Sequence, residues 1–249
     1  MEKHFSFKTD VGLVRSHNED NGGVFTNKFG LLAVVADGMG GHLAGDVASS
    51  MTVKHLKEAW YQATSLQSVK EAEEWIVQQF EHVNQSLFEH ALSNPECQGM
   101  GTTIVGAICT DDFVTIGHVG DSRAYLVNEY GFSLKTDDHS LVHELVRTGQ
   151  ISKEEAEHHP RKNVLLRALG TEKQIKIDVV SLQAEEQQTL LLCSDGLSNK
   201  LNNEEMNHLL LEEGSLEDKA DSFIRLANER GGEDNITVAL IQYQDESKR

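Results

Sequence analysis

The sequence predicts a mixed α+β fold, a four-layer α/β/β/α sandwich with two stacked antiparallel sheets and helices on their outer faces. Three observations lead there. Two long amphipathic helical segments come early, short strands separated by tight turns fill the middle, and two further helices stand between the last strands. This is not the strand-helix alternation of a doubly wound parallel sheet.

The elements follow in order. His4-Phe5-Ser6-Phe7-Lys8 alternates as a half-buried strand does. Residues 23–26 and 31–36 flank Asn27-Lys28-Phe29-Gly30 and read as a hairpin. The second of these strands is apolar on both faces, so it belongs inside a sandwich. After a glycine-rich turn at 38–41, residues 44–61 are helical, with Val47, Met51, Leu56 and Ala59 near helical spacing. A second helix is expected over 69–92, with Ile76, Phe80, Val83 and Leu87 on one face. Strands at 102–109, 113–119, 123–128 and 131–135, broken by Thr-Asp-Asp, Gly-Asp-Ser and Glu-Tyr-Gly, predict an antiparallel meander. Residues 138–173 lose the strand pattern and turn polar and histidine-rich, with short helices expected at 140–148 and 152–158. Strands return at 175–182 and 189–193, helices at 203–213 and 216–230, and a last strand at 236–243. With two prolines, no Ser/Gly linker and no internal repeat, residues 1–249 read as one domain.

Composition narrows the function classes. The chain has 249 residues with 22 basic against 40 acidic side chains, a net charge of −18. Such a balance repels a phosphate backbone, so nucleic acid is not an expected partner. The longest apolar run, 31–36, is far short of the ~20 residues that span a bilayer, so no membrane insertion is expected. Residues 1–20 carry His4, Lys8, Asp10, Arg15, Glu19 and Asp20, so no signal peptide is expected either. Cys97, Cys109 and Cys193 form no C-x-x-C pair and read as free thiols of a reducing cytoplasm.

The most informative pattern is where aspartates fall. Asp37 follows Leu-Leu-Ala-Val-Val-Ala, Asp195 follows Leu-Leu-Leu-Cys-Ser, Asp121 follows Ile-Gly-His-Val-Gly, and Asp234 precedes Asn-Ile-Thr-Val-Ala-Leu. Each sits at the mouth of an apolar strand. Asp-Gly steps are ordinary turns when met singly. Four carboxylates gathered at strand ends repel one another, and divalent cations are the usual way to offset that. Oxygen-only donors predict Mg²⁺ or Mn²⁺ rather than zinc.

Gly38-Met39-Gly40-Gly41 is not a dinucleotide fingerprint, because the third glycine of G-x-G-x-x-G would fall on Leu43. Its glycines instead let the backbone approach a metal and expose the Gly38 carbonyl. Arg15 suits bidentate phosphate binding, with a surface salt bridge as the alternative. His42 is placed either to protonate a leaving alkoxide or to sit as a surface histidine at a helix start. His139, His143, His158 and His159 do not make a zinc motif, since Ser140 breaks H-E-x-x-H and no thiol is near.

Together these blocks resemble the type 2C, metal-dependent serine/threonine protein phosphatases. The residues that carry the resemblance are Arg15-x-x-Asn18-Glu19-Asp20, the run Val35 to His42, Gly99-Met100-Gly101-Thr102-Thr103, Val119-Gly120-Asp121-Ser122-Arg123, Ser194-Asp195-Gly196-Leu197 and Asp234-Asn235-Ile236-Thr237. The blocks Asp138-His139-Ser140 and His159-Pro160 resemble the bacterial form that opposes PASTA-type transmembrane kinases. The resemblance implies a β-sandwich with two Mn²⁺ or Mg²⁺ ions between the sheets. Asp37 would bridge both ions, with the Gly38 carbonyl on one and Asp195 and Asp234 on the other. Glu19 and Asp20 would act through metal-bound water, and Asp121 with Asp195 would hold a third ion. Arg15 would grip the substrate phosphate and His42 would be the general acid. The insertion at 138–173 would be a flap beside the groove. The implied protein is a cytoplasmic monomer acting on phosphorylated proteins, a cognate serine/threonine kinase among them. A two-metal nuclease would need a basic groove, which the charge opposes. A non-catalytic phosphopeptide module would have lost a carboxylate, whereas Asp37, Asp195 and Asp234 are all present.

Overall fold

A computed structural model describes residues 1–40 and 44–244. Its elements are β1 (Glu2–Asp10), β2 (Asp20–Asn27), β3 (Gly30–Met39), α1 (Ala44–Gln62), α2 (Val69–Ser93), β4 (Gly101–Thr102), β5 (Ile104–Cys109), β6 (Phe113–Val119), β7 (Arg123–Asn128), β8 (Gly131–Leu134), α3 (Leu141–Arg147), α4 (Lys153–Glu157), β9 (Asp178–Gln183), β10 (Thr189–Cys193), α5 (Asp195–Ser198), α6 (Asn203–Leu211), α7 (Leu216–Glu229) and β11 (Ile236–Gln244). One sheet runs β1-β11-β10-β7-β8. The other runs β2-β3-β5-β6-β9, with β4 paired to β3. Every named strand pair is antiparallel.

Three apolar clusters separate four layers, and strand periodicity builds them. In β3, Leu31, Ala33 and Val35 face the other sheet, while Leu32, Val34 and Ala36 face α1 and α2. In β11, Ala239, Ile241 and Tyr243 point between the sheets, while Ile236, Val238 and Leu240 meet α6 and α7. This double-sided burial explains why these strands lack polar alternation. Side-chain caps start the helices: Ser68 accepts from Glu71 N, and capping boxes open α6 (Asn202, Glu205) and α7 (Ser215, Asp218).

The structure departs from the sequence reading in three places. The expected single meander is divided between the sheets: β5 and β6 lie in one, β7 and β8 in the other. The crossing is made at Gly120-Asp121-Ser122, where Gly120 takes φ +108°. The strand expected over 102–109 breaks at Thr103, whose backbone N–H donates to the Asp37 carbonyl at 2.8 Å. The strand expected from 175 starts at Asp178, while Ile175 and Ile177 pack against the helix-side core. The insertion holds α3 and α4, neither with a buried residue.

Candidate metal centre

The site is built at one end of the sandwich from strand ends of both sheets. Antiparallel register sets Asp20 of β2 directly opposite Asp37 of β3. Two like charges facing across a strand pair repel, so this pairing lowers stability unless something offsets it. In the other sheet, Cys193 pairs with Val238, which sets Asp195 after β10 beside Asp234 before β11. Asp195 opens α5, a four-residue helix the periodicity of the sequence did not show. The sheet-crossing turn adds Asp121.

Hydrogen bonds tie these groups across the sandwich. Asp20 is 6% exposed, and its Oδ2 accepts from Ser194 Oγ at 2.6 Å and from Thr237 Oγ1 at 2.7 Å. One carboxylate of the β2-β3 sheet is thus held by two hydroxyls from the β10-β11 side. Thr103 links the other ligand-bearing loops: Asp37 N donates to its Oγ1 at 3.1 Å, and that oxygen shares a hydrogen bond with Ser122 Oγ at 2.7 Å. Asn235 braces the first loop by accepting from Glu19 N at 2.7 Å and donating to the Val11 and His17 carbonyls. Arg15 donates from Nη2 to Asp234 Oδ2 at 2.8 Å, its side chain half exposed.

Electrostatics records the crowding. Burial raises the Asp37 carboxyl well above its usual range, and Asp20, Asp195, Asp121 and Asp234 each push it further. Burial pushes Asp121 up to about 7, with Asp195 and Asp138 adding to it and Arg123 opposing. Asp20 is raised by burial against the two hydroxyl donors, Asp195 by burial and Asp234, and Glu19 by burial against His17 and Arg15. Three oxygens, Glu19 Oε1, Asp20 Oδ1 and Asp195 Oδ1, are buried with no hydrogen-bond partner. Gly38 is closely walled: a Cβ there would lie 2.1 Å from the Gly45 carbonyl oxygen and 2.7 Å from that of Glu19. Unpartnered oxygens, an all-oxygen donor set and a packed glycine fit hard divalent cations.

Glu19, Asp20, Asp37, Gly38, Asp121, Asp195, Asp234 and Arg15 are therefore brought together. His42 lies outside the described residues. Ser194, Thr237, Thr103 and Asn235, to which no separate role was assigned from the sequence, hold the charged groups through neutral side chains.

A second cluster stands at the base of the insertion. His139 Nδ1 accepts from Gly120 N at 3.1 Å, His139 N donates to Gly120 O at 2.9 Å, and its Nε2 lies 3.2 Å from Asp178 Oδ2. His118 stacks on it with ring centroids 4.6 Å apart. These three side chains bring potential metal-ligand atoms within 4.8 Å of one another. Stacked rings send their lone pairs along near-parallel planes, and Asp178 already accepts from Arg167 and pairs with Lys176. The cluster reads as a clasp at the base of the insertion.

Residues 14–240 match the protein phosphatase 2C family. The chain belongs to that family. It is 51% identical over 240 residues to the serine/threonine phosphatase stp of Listeria welshimeri, covering 96% of this chain and 95% of that protein. The phosphatase 2C fold extends to solved structures. The S. agalactiae serine/threonine phosphatase superposes with TM-score 0.92 at 41% identity, covering 98% of this chain and 100% of that one. The catalytic domain of the phosphatase PstP, solved with 2 manganese ions, gives 0.86 at 30% identity over 98% and 99%. This phosphatase 2C chain is thus a serine/threonine protein phosphatase, a hydrolase.

Proposed function

We propose that the chain removes phosphate from phosphoserine and phosphothreonine on proteins by metal-assisted attack of water, and that it reverses a serine/threonine kinase. The supporting observation is the convergence of carboxylates from both sheets, with three buried oxygens that have no hydrogen-bond partner. In this reading Asp37, the Gly38 carbonyl, Asp195 and Asp234 hold two Mn²⁺ or Mg²⁺ ions, Glu19 and Asp20 act through water, and Asp121 with Asp195 takes a third ion. Ions there would supply Lewis acidity, lowering the pKa of water and neutralising charge on the phosphoryl oxygens.

The chain's own groups do the rest. Arg15, anchored on Asp234 and half exposed, turns its remaining N–H donors to the phosphate and aligns it. Ser194 and Thr237 fix Asp20 so that its free oxygen keeps one direction. His42 would protonate the leaving serine or threonine oxygen. The bond from phosphorus to that oxygen breaks as the bond to water oxygen forms, giving the free hydroxyl and inorganic phosphate. The same reading makes the whole chain one cytoplasmic, monomeric domain whose insertion at 138–173 is a flap.

Phosphate release from a phosphothreonine peptide with Mn²⁺, and its loss on chelation with EDTA, tests the reading. Release that is indifferent to EDTA, or none with either ion, would refute it.

A further inference from the structure

Two large aliphatic side chains stand out in solvent immediately before the phosphate-binding arginine. Leu13 is 69% exposed and Val14 67%. Single exposed aliphatics are ordinary on a protein surface. These two are adjacent, and the turn that carries them is held by several hydrogen bonds. Gly12 N and Asn228 Nδ2 both donate to Asp10 Oδ1, at 2.8 and 3.0 Å. Leu13 N donates to the Gly232 carbonyl at 2.7 Å, and Asn235 Nδ2 donates to the carbonyls on either side, Val11 and His17. Gly12, at φ +79°, packs so tightly that a Cβ would lie 2.4 Å from the Asp234 carbonyl oxygen. The turn thus rests on the loop that supplies Asp234, and its backbone has little freedom left to lose on binding.

We infer that Leu13 and Val14 form a preorganised apolar platform for the substrate chain, selecting phosphoproteins with an aliphatic or aromatic residue one or two positions from the phosphorylated hydroxyl. The inference rests on the phosphatase reading and deepens it. Reach supports this occupant. Val14 and Leu13 are the first and second residues before Arg15 in a turn, so their Cα atoms lie within about 4 and 8 Å of the Arg15 Cα. The first and second neighbours of the phosphoresidue in an extended substrate lie about 3.3 and 7 Å from it. A rigid apolar contact adds affinity because little ordering cost opposes the burial. Neither side chain offers a charge or hydrogen bond, so the contact discriminates by apolar area alone.

The test uses phosphothreonine peptides that differ only in Leu against Gln at the flanking positions, with Mn²⁺. The substituted protein is Leu13→Asn/Val14→Thr, close in shape to the original and at exposed sites. Wild type should favour the Leu peptide by about fivefold to tenfold in kcat/KM, carried by KM. The double variant should bring that ratio to within about twofold, with an unfolding midpoint matching wild type. A wild type without the preference, or a variant that keeps it, overturns the platform. Sedimentation shows whether the patch serves a second copy instead: a wild-type dimer that the substitutions split, with the peptide ratio unchanged, also overturns it. A wild type inactive on p-nitrophenyl phosphate and on every peptide would sink the phosphatase reading, and the platform with it. Activity on p-nitrophenyl phosphate without peptide preference would sink the platform alone.

Discussion

Arg15 Nη2 donates to Asp234 Oδ2 at 2.8 Å, joining the loop after β1 to the loop before β11. The proposed phosphate grip and a proposed cation ligand therefore share one carboxylate. Arg15→Ala should raise KM for a phosphopeptide by about tenfold or more. Mn²⁺ affinity should stay the same or tighten, because a neighbouring positive charge is removed. Titration calorimetry beside steady-state kinetics checks both, and Mn²⁺ binding that weakens in step with activity would contradict the assignment.

Removing a carboxylate should separate stability from turnover. Asp195→Asn is expected to lower kcat by about a hundredfold or more, given the several kcal/mol a metal ion contributes to a phosphoryl transition state. In EDTA the same variant should unfold about 2–4 °C higher than wild type, since it relieves repulsion among buried carboxylates. Scanning calorimetry measures the second effect, and a lower midpoint would mean Asp195 is not a strained group.

Gly38→Ala removes no charge, yet it should damage the centre. Its new Cβ meets backbone atoms of Gly45 and Glu19, which cannot rotate away. A loss of about 3 kcal/mol in urea unfolding is expected, together with weakened Mn²⁺ binding. Native stability in this variant would show that the close approach relaxes easily.

The clasp at the base of the insertion predicts a pH dependence. Burial, with the charges of His118 and Arg167, holds His139 at about 4, below the usual 6.5. Between those values the unfolded chain binds the proton and the folded chain does not. The contribution of His139 is therefore present above about pH 6.5 and lost as pH falls toward 4. Unfolding free energies of wild type and His139→Asn should differ most above pH 6.5 and converge toward pH 4. A gap that widens on acidification would reverse the sign and refute the assignment.

Much of the architecture was legible because β3, β10 and β11 are apolar on both faces and the long helices carry clear stripes. The sheet crossing at Gly120 was not, since local pattern does not say which sheet a strand joins. The one-turn α5 is too short for any periodicity to show. At the site, the charged residues announced themselves by standing where hydrophobic strands end. Ser194, Thr237 and Thr103 gave no such signal, because what they do depends on partners far along the chain. Asp20 and Thr237 meet only once β2 and β11 have found their places. His118 and Asp178 were silent for the same reason: His139 is their meeting point, and only the fold supplies it.

The pairing of β1 with β11 reaches from Glu2 against Gln244 to Asp10 against Ile236. Contacts between chain segments so distant form late and slowly, because the loop they close runs from Asp10 to Ile236. During synthesis the ribosome releases Arg15, Glu19 and Asp20 long before Asp234. A nascent chain can fold its hairpins and helices early, but it cannot assemble the centre, or cover the open edges of β1 and β10, before β11 emerges. Birth of the activity thereby waits on β11, and a product that stops short of β11 is left with an unpaired sheet edge and an unassembled centre.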